Sequence, residues 1–314
     1  MITINLKDSQ STYAPPVSIQ SDDASFEPEL IMKAAALLKK GAVSKKYEVY
    51  SLSPHKKSKE SSPFLDCMVQ DNVLKFVTYN FVGRLFIRVE GRDICFNIYP
   101  SMGLLELSHI LSYSSGVYFP ENSKPLSGLS YEQGMSWLLL LLWKCAFERA
   151  LRQSSVPKDY VFKSENLKRF RGRLDLIKNI QQNLTDFSKV WCIYKPLSMD
   201  ITINRTVRYI YKILLNSKET DKRFYSELSL HDQRLASFGV SNEPVSVEQI
   251  NHIKYTKLNE AYRPLMLLSK ALIRAYGSKD FFSAFPDASY VADVSEIQKM
   301  YSEKRRNITS SSQN

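Results

Sequence analysis

Glycine and proline are scarce, at 10 and 13 of 314 residues. That excludes a collagenous or low-complexity chain. Histidine and cysteine number four each, which leaves little material for a structural metal site. Cys67, Cys95, Cys145 and Cys192 are widely spaced, with no C-x-x-C pair. They read as free thiols in a reducing compartment, so a cytoplasmic location is expected. His55, His109, His231 and His252 are isolated. No apolar run reaches the roughly 20 residues that span a bilayer. The strongest, residues 137–143 (WLLLLLW), is followed at once by Lys144 and reads as a helix buried on nearly every side. Residues 1–29 carry one Lys, five acids and no apolar stretch, unlike a signal peptide. No membrane partner is expected.

Catalytic signatures are missing too. There is no G-x-x-x-x-G-K-[ST], so nucleotide is not expected to bind this chain through a P-loop. G-x-G-x-x-G, G-x-S-x-G, H-E-x-x-H and zinc-ribbon spacings are also absent. A metal-dependent nuclease needs clustered carboxylates and a Lys to hold the ion and polarise water. The nearest imitations are Asp71 with Glu90-Gly91-Arg92, and Asp287 with Glu296 and Lys299. Glu90-Gly91 sits where a hairpin turn is needed, and the second group reads as a solvated tail.

What is present is a basic chain with a real core. Lys plus Arg is 43 against 32 acids, a net charge of +11. Apolar residues make up 44% and aromatics 12%. That composition fits one large domain or two ordinary ones, with a polyanionic partner as the first expectation.

The fold class reads as α+β. Residues 1–44 look like a partly flexible acidic leader followed by a basic segment, and residues 33–59 hold eight Lys against one Glu. Residues 30–40 suit a short helix and 51–62 a loop. Residues 45–103 read as a small antiparallel, barrel-like meander. Its strands fall at 64–68, 73–79, 82–89 and 94–99, rich in Val, Ile, Phe and Tyr. In the third, Leu85, Ile87 and Val89 alternate with Arg84, Phe86 and Arg88, as in a half-exposed strand.

Residues 104–277 read as helical. Helices are expected over 104–114, from 131 to about 152, over 174–184, along the face of Ile203, Val207, Ile210, Tyr211 and Leu214, and over 258–276. Capping boxes stand at Ser130…Gln133 and Ser246…Gln249. Residues 278–314 read as an extension with a basic, Ser-rich tail.

Two segments carry most of the functional information. Lys168, Arg169, Arg171 and Arg173 crowd around Gly172, which allows a turn or close backbone approach. Phosphate binding, contact with an acidic protein surface and a solvated basic loop all fit that pattern. Further on, Asp200 or Thr202 can cap a helix that has Asn204 and Arg205 in its first turn. An Arg there opposes the helix dipole, which points to a specific partner for it, an internal carboxylate or another subunit.

Taken in order, these segments resemble the McrC family, the partner subunit of McrBC-type, modified-cytosine-dependent restriction systems. The resemblance rests on Phe81-Val-Gly83, Ile94-Cys-Phe-Asn-Ile98-Tyr-Pro100, Tyr160, Arg171-Gly-Arg-Leu-Asp175, Val190-Trp-Cys192, Asp200 and Asn204-Arg205, with a later helix from Ala261-Tyr262 to Tyr276. It covers residues 75–277. Ser101 stands where the family usually has Lys, and Lys195-Pro196 where an acidic residue often follows the aromatic. The family's PD-(D/E)xK nuclease domain would need on the order of 100 further residues, more than follow position 277.

The resemblance therefore implies a nuclease-less, non-catalytic assembly subunit in phage defence. Its partner would be an McrB-like AAA+ NTPase hexamer, with NTP and Mg²⁺ held on that motor and a separate nuclease subunit cutting DNA. Arg169, Arg171, Gly172, Arg173, Asn204 and Arg205 would form or support the part that stimulates hydrolysis, GTP hydrolysis among the expectations. A rival reading is a DNA-binding specificity module, with Lys39, Lys40, Lys45, Lys46 and Lys168 on phosphates. A third is a metal nuclease using Glu90.

Overall fold

A computed structural model of the chain describes residues 1–21, 28–41, 49–50, 63–115, 131–216, 226–277, 289–295 and 299. Lys45, Lys46, the Ser130 cap, the 51–62 segment, Asp287 and Glu296 lie outside them, as does the side chain of Lys40.

The first surprise is at the start. Residues 1–30 read as a flexible leader, yet Ile2–Lys7 (β1) and Ser18–Ser21 (β2) are strands. Ile2, Ile4 and Leu6 alternate with polar neighbours and are buried. That period of two had been masked by the acidic composition that follows it. β1 runs parallel to Arg92–Tyr99 (β7) and antiparallel to β2.

Pro28–Gly41 is a helix (α1). It buries Leu30, Ile31, Ala34, Ala35 and Leu38 in a core that also holds Leu65, Phe76, Leu85, Ile87 and Phe96. Each fully buried Leu or Ile contributes about 1.5–3 kcal/mol relative to exposure. Leu65–Gln70 (β4) and Val73–Thr78 (β5) form a separate hairpin through Asp71 and Asn72, both at positive φ. Phe81–Val89 (β6) returns to β7 through the expected Glu90-Gly91 turn.

β6 corrects the half-exposed reading. Arg84 and Phe86 are buried and Arg88 is exposed, because both faces of this strand are covered. Its free edge is taken by Tyr290–Asp293 (β13), which pairs antiparallel with β6 and parallel with Val49–Tyr50 (β3). Residues 286–299 had the look of a tail, but part of them is sheet interior. Gly83 makes that pairing feasible: a Cβ there would lie 2.1 Å from the Tyr290 carbonyl oxygen. The sheet is therefore mixed, in the order β2-β1-β7-β6-β13-β3, where an antiparallel meander was expected.

Most of the expected helices are present, but residues 226–237 form a helix that the sequence reading did not place, and residues 159–198 of the region read as helical hold five short strands. The helical body comprises Leu104–Ser115 (α2), Tyr131–Gln153 (α3), Thr202–Asn216 (α5), Ser226–Ser237 (α6), Val247–Asn251 (α7) and Arg263–Gly277 (α8). Leu176–Asn183 (α4) lies apart from it. In α3 the run from Leu138 to Trp143 is buried throughout. Trp143 donates its indole N–H to Ser269 Oγ on α8 at 2.8 Å and stacks on Phe147. The Ser246…Gln249 capping box is present, with both reciprocal bonds made. Sheet and helices share a core through Tyr50, Val82, Tyr99, Tyr290 and Ala292. No helix among the described residues is long and apolar enough to cross a membrane.

Candidate functional site

Between α3 and α5 the chain leaves the helical body and builds a small lobe from residues 157–200. Asp159–Tyr160 (β8) pairs with Leu197–Ser198 (β12) at its neck. Beyond them Lys163–Leu167 (β9), Arg173–Leu174 (β10) and Val190–Tyr194 (β11) form a three-stranded sheet with β11 in the middle. Of residues 157–200 only Pro157, Asn183 and Cys192 are buried. Hydrogen bonds stand where an apolar core would be. Asn183 Nδ2 donates to Asn166 Oδ1 at 2.8 Å, to Asn179 Oδ1 at 3.0 Å and to the Lys189 carbonyl at 2.9 Å. Asn166 Nδ2 returns a bond to Asn183 Oδ1 at 2.8 Å.

The basic segment is not the far tip of this lobe. After β9 has run outward, residues 168–172 cross back over β11 before β10 begins. The Arg171 N–H donates to Cys192 Sγ at 3.3 Å, and its guanidinium lies 4.6 Å from the Tyr194 ring centre. Gly172 has φ +73°, and a Cβ there would meet the Ile193 carbonyl oxygen at 2.5 Å. The crossover thus needs Gly both for its conformation and for its closeness to β11. Tyr194 Oη donates to Glu165 Oε2 at 2.5 Å, which holds the Glu165 carboxyl below its ordinary value and pushes the Tyr194 phenol up. Lys168, Arg169, Phe170 and Arg173 are exposed along the same segment.

α4 covers the other face of the lobe's sheet. Asp175 caps it, accepting from the Lys178 N–H. Lys178 Nζ lies 5.1 Å from the Trp191 ring centre and donates to Ser164 Oγ. Trp191 and Ser164 alternate with Cys192 and Glu165, so α4 and the crossover lie on opposite faces.

Asn204 and Arg205 are at the base. Asn204 Nδ2 donates to the carbonyl of Pro157 at 2.9 Å and to that of Met199 at 2.7 Å. One buried carboxamide therefore ties together the strand that leaves the body and the strand that returns. Arg205 answers the question raised by its place in the first helical turn. Its Nε and Nη2 each lie 2.6 Å from an oxygen of Asp200. Asp200 also accepts the Ser241 N–H at 2.9 Å. The Arg205 guanidinium holds the Asp200 carboxyl below its ordinary range, and Arg205 is raised in turn. Arg208, one turn on, bonds Asp232 and the Val240 carbonyl. Sequence reasoning placed the Arg205 partner among two possibilities. It could not see the Asn204 clamp, because neither carbonyl acceptor has a sequence signature.

The remaining candidates are scattered. Lys39 on α1 is held by Asp66 at 2.6 Å, which raises its pKa. Glu90 bonds Lys33 at 2.7 Å. Among the described residues no three His, Cys, Asp or Glu side chains gather as a metal site. Cys95, Cys145 and Cys192 are buried and Cys67 is half-buried, with its thiol pushed up to about 12 by burial.

These features define an α+β protein whose helical body carries an inserted, basic lobe clasped at its root. The family model described as "McrBC 5-methylcytosine restriction system component" matches residues 77–297, more than half of the chain. The chain belongs to that family. No curated protein matches it. Among solved structures it is similar to a chain of the Thermococcus gammatolerans McrBC complex determined by cryo-EM, at 16% identity, covering 95% of this chain and 84% of that one with a TM-score of 0.40. It is also similar to a chain of the half-complex refined from the tetradecameric assembly of Thermococcus gammatolerans McrB AAA+ hexamers with bound McrC, at 16% identity and a TM-score of 0.39. That match covers 86% of this chain and 64% of the other, less than two thirds of its length.

Proposed function

We propose that this chain is an McrC-like subunit of a phage-defence restriction complex. It docks on an McrB-like AAA+ NTPase hexamer and stimulates that motor, coupling its hydrolysis to restriction by a separate nuclease. The observation that carries this reading is the clasped lobe, whose crossover sets Arg171 over Tyr194 on one face of the sheet, with Arg169 and Arg173 exposed on either side of it in the chain. Residues 158–195 hold nine Lys and Arg against four acids. Three of those acids have local duties: Glu165 with Tyr194, Asp175 capping α4, and Asp186 with Ser188. The surplus of cations is thus left for a partner.

Two mechanisms use that surplus. An inserted Arg can stabilise charge in the transition state of a hydrolysing motor. The stacked Arg171 can equally act by positioning a catalytic element of the partner. NTP and Mg²⁺ reside on the motor in either case. The test is the partner's hydrolysis rate with and without this chain. Stimulation by wild type that is lost in Arg171→Ala/Arg173→Ala supports the reading. No stimulation by wild type, or full stimulation by the double variant, overturns it.

DNA recognition is the second reading, favoured by the exposed aromatics among the lobe's cations. Phe170 and Phe162 are each about two-thirds exposed, and bases stack on such rings. It predicts DNA binding by the isolated chain that weakens steeply with salt. A gel shift that shows no complex at low salt removes it.

A further inference from the structure

The lobe has a second exposed surface that the basic crossover does not explain. α4 turns the carboxamides of Asn179 and Asn183 into the hydrogen-bond network beneath it. It leaves Leu176, Ile177, Ile180 and Leu184 outside, between 60 and 70% exposed, and Phe187 follows at 88%. The first four fall at i, i+1, i+4 and i+8, so they form one arc of the helix. An amphipathic helix of a folded protein normally does the reverse, burying that arc. A contiguous apolar patch of this kind, ringed by polar residues, marks an interaction surface.

We infer that the apolar arc of α4 anchors the lobe in an apolar, acid-rimmed socket of a protein partner, separately from the arginine crossover on the opposite face. The occupant follows from charge and shape. A second copy would set one cation-rich lobe against another, which the nine-to-four balance opposes. Nucleic acid offers phosphates and bases, and nothing to cover five large side chains from Leu176 to Phe187. A helix lying on a membrane carries a cationic polar face. Here the polar residues from 176 to 187 bring one Lys against one Asp, and that Lys178 is folded over Trp191. A flat bilayer touching α4 would also leave the crossover on the far side out of reach. A concave protein socket reaches both faces.

This inference rests on the reading of the chain as a subunit of a larger machine. It divides the labour within the lobe: α4 supplies affinity and the crossover supplies stimulation. The test uses the full chain and the McrB-like AAA+ NTPase as probe, with binding measured by calorimetry and hydrolysis followed at increasing chain concentration. Ile177→Gln/Ile180→Gln is the main variant, since both side chains are exposed and Gln keeps helix propensity. Phe187→Ser, outside the helix, is the second if the first unfolds.

The expected result is a Kd raised at least tenfold, with the hydrolysis rate at saturation unchanged. Arg171→Ala, on the opposite face, should do the reverse, lowering the saturating rate while Kd moves by less than threefold. Wild-type binding that neither α4 variant weakens overturns the inference and leaves the proposed function standing. A wild-type chain that does not bind the motor at all overturns both. Concentration-dependent dimers, or binding to vesicles of anionic phospholipid, abolished by Ile177→Gln/Ile180→Gln would assign the arc to another occupant and likewise overturn it.

Discussion

Asp200 and Arg205 meet in a two-point ion pair, both contacts at 2.6 Å, where the returning strand of the lobe enters α5. This pair turns an unfavourable helix position into a structural joint. Both side chains are about one-third exposed, so solvent screens the attraction. Arg205→Ala should cost about 1–2 kcal/mol, read as a lowered denaturation midpoint. Arg205→Lys should recover only part of it, because Lys cannot make the fork.

The same joint has a pH signature. The folded Asp200 pKa lies below its ordinary value of 3.8. Its stabilisation is therefore full above that ordinary value and drains away as pH falls through the lowered folded value. Wild type should lose stability below about pH 4 more steeply than Asp200→Asn. Equal slopes for the two proteins would show that the pair adds nothing.

Asn204 is the stronger test of the base, because it is buried and serves both ends of the lobe. Asn204→Ala orphans the carbonyls of Pro157 and Met199, which should cost about 2–3 kcal/mol. Faster proteolysis confined to residues 157–200 is the expected pattern. Cleavage spread evenly over the helical body would refute a local clasp.

Gly172→Ala should lift the arginine crossover off β11. The added methyl would press on Ile193 and Tyr194 in a backbone conformation that suits Gly, at a cost of about 1–3 kcal/mol. Hydrogen exchange at the Arg171 amide should accelerate, while exchange in α5 stays as in wild type.

Asp8 makes a prediction of opposite sign. Its carboxyl is buried, accepts from the Ser101 N–H at 2.5 Å, and leaves Oδ2 without a hydrogen-bond partner. Burial raises its pKa. Ionising it therefore weakens the fold, and stability rises as pH falls through the raised value. Asp8→Asn should stabilise the chain by about 1 kcal/mol at neutral pH. That gain should vanish in acid, and thermal melts across pH decide it.

Legibility in the sequence tracked how local each determinant is. The Glu90-Gly91 turn, the Ser246 capping box and the apolar face of α5 are set by neighbours within a few residues, and all were readable. β13 was not, because it is a short segment whose partner strands lie far away in sequence, and β1 was hidden by the acidic residues that follow it. α4 was readable as a helix, but nothing local says that its apolar arc stays outside. The lobe's arginines stood out by composition. The placement of Arg171 on a face of the sheet depends on the closeness of Gly172 to Ile193 and on the contact from Arg171 to Tyr194. Asn204 stood out only by resemblance, since a clamp on two carbonyls leaves no trace in residue types.

β13 fills the position between β6 and β3. During synthesis, then, β6 must wait until Tyr290–Asp293 has emerged before its edge is paired. Until that moment it offers a row of unpaired backbone groups from Phe81 to Arg84, the kind of edge on which other chains add. A product that stops short of Tyr290 would carry that open edge permanently. Shortened forms of this protein should therefore fail first by clumping, with the helices that follow the sheet still able to form.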